Sequence, residues 1–151
     1  MIFISHRGNI SSKIEERENS PEYILEALSL GLDVEVDVWC KDDELFLGHD
    51  EPKYKVDIEF LQNEKLWCHA KNSEALLRML NHNIHCFWHE SDKMTLTSKK
   101  YIWAYPSKKY PTTSIAVLPE NNEDSDVSNC LGICSDYILK YKGQYGEIDN
   151  I

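Results

Sequence analysis

The sequence predicts an α/β fold, a mostly parallel sheet in which an expected crossover helix gives way to a loop. Three observations carry this. Short apolar runs of strand length alternate with amphipathic helical stripes early in the chain. The second strand puts valines on one face and carboxylates on the other. Strand after strand ends in histidine or charge, and the C-terminal ends of parallel strands are where α/β folds collect their sites. With 151 residues, the chain (1–151) suits a single domain with a sizeable core.

Met1, Ile2, Phe3 and Ile4 form the first apolar run, β-branched or aromatic at three of its four positions. Ser5-His6-Arg7-Gly8-Asn9 follows, a proton carrier and an anion-binding fork beside a glycine that lets the backbone turn. Taken alone, this triplet fits either a functional strand end or a solvated loop. Residues 9–18 are polar and read as a loop. At Asn19-Ser20-Pro21-Glu22 a helix starts, with Ser20 as N-cap, Pro21 in the first turn and Glu22 at the positive end of the dipole. Tyr23, Ile24, Ala27, Leu28 and Leu30 supply its apolar stripe, and Gly31 closes it.

In residues 33–38 Val34, Val36 and Val38 share one strand face, and Glu35 and Asp37 the other. Strand, helix and strand at this spacing make a βαβ unit, so the sheet begins parallel. Carboxylates inside or along the rim of a barrel repel each other and are costly to desolvate, which calls for a divalent cation; on an edge strand they would simply be solvated. Residues 41–44 form a turn, and 45–50 a short strand ending in His49-Asp50. Residues 66–71 are a further strand, with His69 and Lys71 on one face. Asn72 or Ser73 then caps a helix carrying Ala75, Leu76, Leu77, Met79 and Leu80. Residues 84–88 form a strand ending in His89-Glu90, 91–100 a loop, and 101–105, 114–118 and 131–136 the remaining strands. The segment after Tyr141 reads as a fraying tail.

The net charge of −10 argues against a nucleic-acid backbone or an anionic membrane surface as main partner. It fits both a protein that concentrates cations and a plain solubility feature. No apolar run approaches the roughly 20 residues of a membrane span, and no signal peptide is evident. The five dispersed cysteines form no C-x-x-C pair and read as reduced thiols of a cytoplasmic protein, with Cys130 and Cys134 as an outside candidate for a zinc pair.

His6-Arg7-Gly8, then Glu18-Asn19-Ser20, then Glu35-x-Asp37, then His49-Asp50 together resemble the glycerophosphodiester phosphodiesterase family, metal-dependent TIM-barrel enzymes. Residues 1–50 carry the resemblance, with further matches in 66–72 and 132–136. It implies a reduced TIM-type (β/α) barrel, mostly parallel, with several helices shortened or missing, since such barrels typically take about 250 residues. It also implies His6 and His49 as the catalytic histidines, Arg7 and Lys71 on the substrate phosphate, and Glu35 and Asp37 as metal carboxylates, with Glu18 close by. Where the family carries Glu-x-Lys, this chain has His69-Ala70-Lys71. His69 is then a ligand or a hydrogen-bonding neighbour, with Glu90 or water completing the set. The metal is Mg²⁺ or Ca²⁺ by resemblance, and Mn²⁺ or Zn²⁺ if His69 ligates.

The chemistry expected is hydrolysis of a glycerophosphodiester or related small phosphodiester, one histidine acting as acid and the other as base. Two alternatives stand beside it: a lyase giving a cyclic phosphate, and a degenerate, non-catalytic barrel binding a sugar phosphate or a partner protein. His89 and Glu90 are further candidates for substrate or metal. Trp88, Trp103 and Tyr105 fit a pocket wall or plain core, His82 and His85 structural or solvent-facing positions, and Asp136 the barrel mouth or a bond to Arg7. A shortened barrel would leave apolar surface that a homodimer can bury.

Overall fold

A computed structural model describes residues 1–146. The strands are β1 (Ile2–His6), β2 (Asp33–Lys41), β3 (Glu44–Leu47), β4 (Tyr54–Val56), β5 (Leu66–Ala70), β6 (Cys86–Trp88), β7 (Met94–Leu96), β8 (Ile102–Ala104), β9 (Ile115–Val117) and β10 (Gly132–Ser135). Four α-helices accompany them: α1 (Pro21–Ser29), α2 (Ile58–Leu61), α3 (Ser73–Asn81) and α4 (Ile138–Tyr145).

The parallel strands run in the order β6-β5-β2-β1-β10-β9-β8 within one curled sheet. A closed TIM-type barrel is not what forms. Among the described residues no ladder joins β6 to β8, and β8 instead pairs antiparallel with β7. Helices do not alternate with strands either. α1 bridges β1 to β2 and α3 bridges β5 to β6, but only loops link β8 to β9, and only a 3₁₀ turn (Pro119–Asn121) lies between β9 and β10. The sheet is a half-barrel. The physical reason is length: without crossover helices, a parallel strand must return over a short loop, and the chain spends β3, β4 and β7 on antiparallel pairings instead.

Local chemistry explains the elements. Ser20 caps α1 through its hydroxyl, which accepts from the Tyr23 amide, and Pro21 follows. Asp42 and Asp43 both take positive φ (50° and 62°), the geometry of a tight hairpin turn, which sends β3 back along β2. Asn72 caps α3 by accepting from the Ala75 amide, and it also bonds both backbone groups of Cys40. Residues 94–96, read above as loop, form β7, and the expected tail continues as α4 to Tyr145 with Ile138 fully buried.

Two apolar layers result. Val34, Val36 and Val38 pack outward against Ile24 and Ala27 of α1 and Ala75 and Met79 of α3. Ile4, Trp67, Phe87, Trp103, Ile115, Val117 and Cys134 fill the concave side. Glu35 and Asp37, on the alternate positions of β2, therefore face the hollow. β2 pairs with β1 through Asp33, Val34 and Glu35, and with β3 from Val38 onward. Both partners lie on the same edge, because β5 occupies the other. Asp37 sits at the seam between them.

Candidate functional site

Each strand end brings one part of the site. β1 ends in His6, level with Glu35 on β2. Arg7 then turns at φ 56°, a conformation unfavourable for a side-chain-bearing residue, and Gly8 (φ 94°) continues the turn where a Cβ would meet the Tyr23 ring at 2.8 Å. His49 follows Gly48, whose φ is 153° and whose Cβ would collide with the Glu51 carbonyl. The Gly48 amide donates to Asp37 O at 3.1 Å, and its carbonyl accepts from Trp39 Nε1 at 2.7 Å, which ties His49 to β2. β5 supplies His69, level with Asp37.

The buried centre is Glu35 and Asp37, 2% and 0% exposed, with His69 close enough that one donor atom from each lies within 4.8 Å of the others. His69 Nδ1 stands 3.4 Å from Asp37 Oδ1 and 3.9 Å from Glu35 Oε1. Asp37 Oδ2 accepts from Asn19 Nδ2 at 2.9 Å and faces Arg7 Nε at 3.1 Å. Asp37 Oδ1 and Glu35 Oε2 are buried and accept no hydrogen bond among the described residues. An unpaired buried carboxylate oxygen costs upward of about 1–3 kcal/mol, so these two lone-pair positions suit a cation. The three side chains fit a divalent ion by donor type and by proximity.

Around this centre, His6 donates at Nδ1 to Asp136 Oδ1, 2.6 Å away, while its Nε2 points to Glu35 Oε2 at 3.9 Å. Burial works against a charged His6, but the Asp136 hydrogen bond and the Glu35 charge outweigh it and hold its pKa above the ordinary value. Burial, reinforced by the charge of Asp37, pushes Glu35 up. Burial would do the same to Asp37, yet the neighbouring His69 ring and the charge of Arg7 hold it far below the usual carboxylate range. Glu18 binds Arg7 Nη1 at 3.1 Å and Asn9 Nδ2 at 2.9 Å, so it braces Arg7 and stands one residue removed from the carboxylate pair. Lys71 Nζ lies 3.9 Å from Asp37 Oδ1.

Two cavities meet here. One, of about 320 Å³, is lined by His6, Arg7, Glu35, His49, His69, Lys71, His89 and Glu90, with Trp103, Tyr105, Val117 and Leu118 as its apolar wall. The other, about 460 Å³ and strongly polar, shares Arg7 and His49 with the first and adds Lys13, Glu15, Glu18, Asn19 and Lys53. No protein-family model, curated protein or solved structure matches the chain.

Of the residues singled out in the sequence, His6, Arg7, Glu35, His49, His69, Lys71, His89 and Glu90 line the smaller cavity, Asp37 lies directly beneath it, and Glu18 lines the larger. Trp103 and Tyr105 form the wall, whereas Trp88 does not. The His89 ring stacks on Tyr105, and its backbone carbonyl contacts His69. Asp136 bonds His6 rather than Arg7. Asn9 and Asn19 were invisible as site residues: Asn9 joins Glu18 to Asp136, and Asn19 holds Asp37 by both its side chain and its amide. The zinc pair is not formed, since Cys134 is buried in the concave layer while Cys130 packs against the outer one.

Proposed function

We propose that the protein is a metal-dependent phosphodiester hydrolase acting on a glycerophosphodiester or a related small phosphodiester. The observation that carries this reading is the pair of buried, unpartnered carboxylate oxygens on Glu35 and Asp37, set under a cavity lined by four histidines, His6 and His49 among them, and by Arg7 and Lys71. A divalent ion held by Glu35, Asp37 and His69 would supply charge neutralisation for the phosphate.

The chain's own groups do the rest. Arg7 and Lys71 offer positive charge to the phosphate oxygens, and Glu18 keeps the Arg7 fork in place. The Nδ1 of His6 is committed to Asp136, so proton transfer at this residue runs through Nε2, on the cavity side. His49 borders both cavities and is the second proton carrier. The phosphate occupies the smaller cavity, and the polar larger one takes an alcohol group attached to it. Five free thiols support a reducing, cytoplasmic setting. Among the described residues no helix is long and apolar enough to cross a membrane.

Purified protein assayed on a panel of glycerophosphodiesters and a chromogenic diester, with divalent metals and with chelator, tests the proposal. Turnover that needs metal and disappears in His6→Ala and Glu35→Ala is expected. A folded, metal-binding protein that releases nothing from any diester would leave a phosphate-binding role as the better account.

A further inference from the structure

We propose that the site formed by Glu35, Asp37 and His69 selects a transition-metal dication of the Mn²⁺ type over Mg²⁺ and Ca²⁺, with His69 binding through Nδ1. The proposal rests on the reading above for the place of the metal, but not on turnover of any diester. His69 Nε2 lies 3.1 Å from the His89 carbonyl oxygen, which only accepts, so Nε2 carries the hydrogen. The ring also stacks on Phe87, with centroids 4.9 Å apart and planes 18° from parallel. Held on one edge and one face, the imidazole turns Nδ1 toward Asp37 Oδ1 and Glu35 Oε1. A metal-binding histidine is commonly fixed in this way, its other nitrogen donating to a carbonyl.

The rival is a simple ion pair in which Nδ1 donates to Asp37. At 3.4 Å that contact is long for a charge-assisted hydrogen bond, which typically closes to about 2.7–2.9 Å. Asp37 Oδ1, moreover, is buried without a hydrogen-bond partner, as is Glu35 Oε2. Of the atoms that converge, Asp37 Oδ1 is itself orphaned among the described residues, and the second oxygen of the Glu35 carboxylate is orphaned beside it. Imidazole nitrogen with two carboxylates suits Mn²⁺ and its heavier neighbours, whereas Mg²⁺ and Ca²⁺ favour all-oxygen shells.

Calorimetric titration with Mn²⁺, Mg²⁺ and Ca²⁺ tests this on the whole chain. Mn²⁺ is the better probe than Zn²⁺ because free thiols also take zinc. One equivalent of Mn²⁺ should bind at least tenfold more tightly than Mg²⁺ or Ca²⁺. His69→Ala should weaken Mn²⁺ at least tenfold, and His69→Glu should narrow the preference by strengthening Mg²⁺; circular dichroism confirms that each variant folds. Equal affinity for Mg²⁺ and Mn²⁺, no binding by folded protein, or an unchanged Mn²⁺ affinity in His69→Ala would each overturn it. Diester turnover with no Mn²⁺ preference would sink this inference alone, while a clear preference without turnover would sink the proposed function alone.

Discussion

Asp136 is the residue whose role depends most on the fold and least on its neighbours in sequence. It reaches His6 across 130 positions, accepts from Asn9 as well, and has its own amide held by Glu120. In Asp136→Asn the hydrogen-bonding shape survives while the charge goes. Under the proposed chemistry, kcat should fall about 100-fold, the scale of one misplaced proton carrier, with KM little changed. The His6 limb of the pH–rate profile should move to lower pH, because Asp136 helps to hold that pKa up. Equal kcat in the two proteins would remove Asp136 from the machinery. Glu35 offers a complementary test on stability. Its folded pKa is raised above the ordinary 4.5, so the charged form costs stability, and metal-free protein should lose stability as pH rises through that range. Glu35→Gln removes the unpaired charge. Near neutral pH and without metal it should melt about 2–4 °C higher, the scale of roughly 1 kcal/mol in a chain this size, while losing metal binding. A lower melting temperature would mean that Glu35 is already satisfied without an ion.

At the scale of elements, the residue just before β6 is a further buried titratable group outside the candidate site. His85 is 5% exposed, bonds Thr97 Oγ1 at 2.8 Å and packs against Trp67 with ring centroids 4.3 Å apart. Burial, helped by the charge of Lys99, lowers its pKa from 6.5 to about 4. The unfolded chain therefore takes up the proton first, so the neutral ring's contribution is complete above pH 6.5 and is lost as pH falls toward 4. Denaturant titrations from pH 7 to 4 should show His85→Phe losing less stability than the wild type over that window; parallel curves would contradict the assignment. The elements also show what the sequence could say. Alternation along β2 placed Glu35 and Asp37 opposite the valines, and the Ser20-Pro21 start of α1 and the Asn72 cap of α3 were local signals that the fold keeps. β7 was hidden because Met94 and Leu96 are exposed, giving a three-residue strand no buried face to announce it.

For the whole molecule, the expected closed barrel gave way to a curled half-barrel, and the reason lies in pairings that no local pattern encodes. Closure would have needed β6 to meet β8, strands separated by the hairpin in which β7 turns back on β8. The candidate site was nonetheless largely legible, because it depends on strand ends rather than on closure. His6, Arg7, Glu35, His49, His69 and Lys71 all reach one cavity from four successive chain segments. What was not legible comes from across the hollow or from loops: the pairing of Asp136, just past the last strand, with His6 rather than Arg7, and Asn9 and Asn19, whose amides carry no chemical signature beyond turn formation.

The central claim is that these groups cleave a phosphodiester with the help of an ion at Glu35, Asp37 and His69. Phosphorus NMR of a glycerophosphodiester incubated with the Mn²⁺-loaded protein tests it most directly, because the diester, a cyclic phosphate and a monoester give separate resonances. A monoester resonance that grows with time, stops on addition of chelator and fails to appear with Glu35→Gln is the predicted result. A diester resonance that stays unchanged while Mn²⁺ is bound would contradict the account, and a cyclic phosphate as the final product would replace hydrolysis with intramolecular transfer.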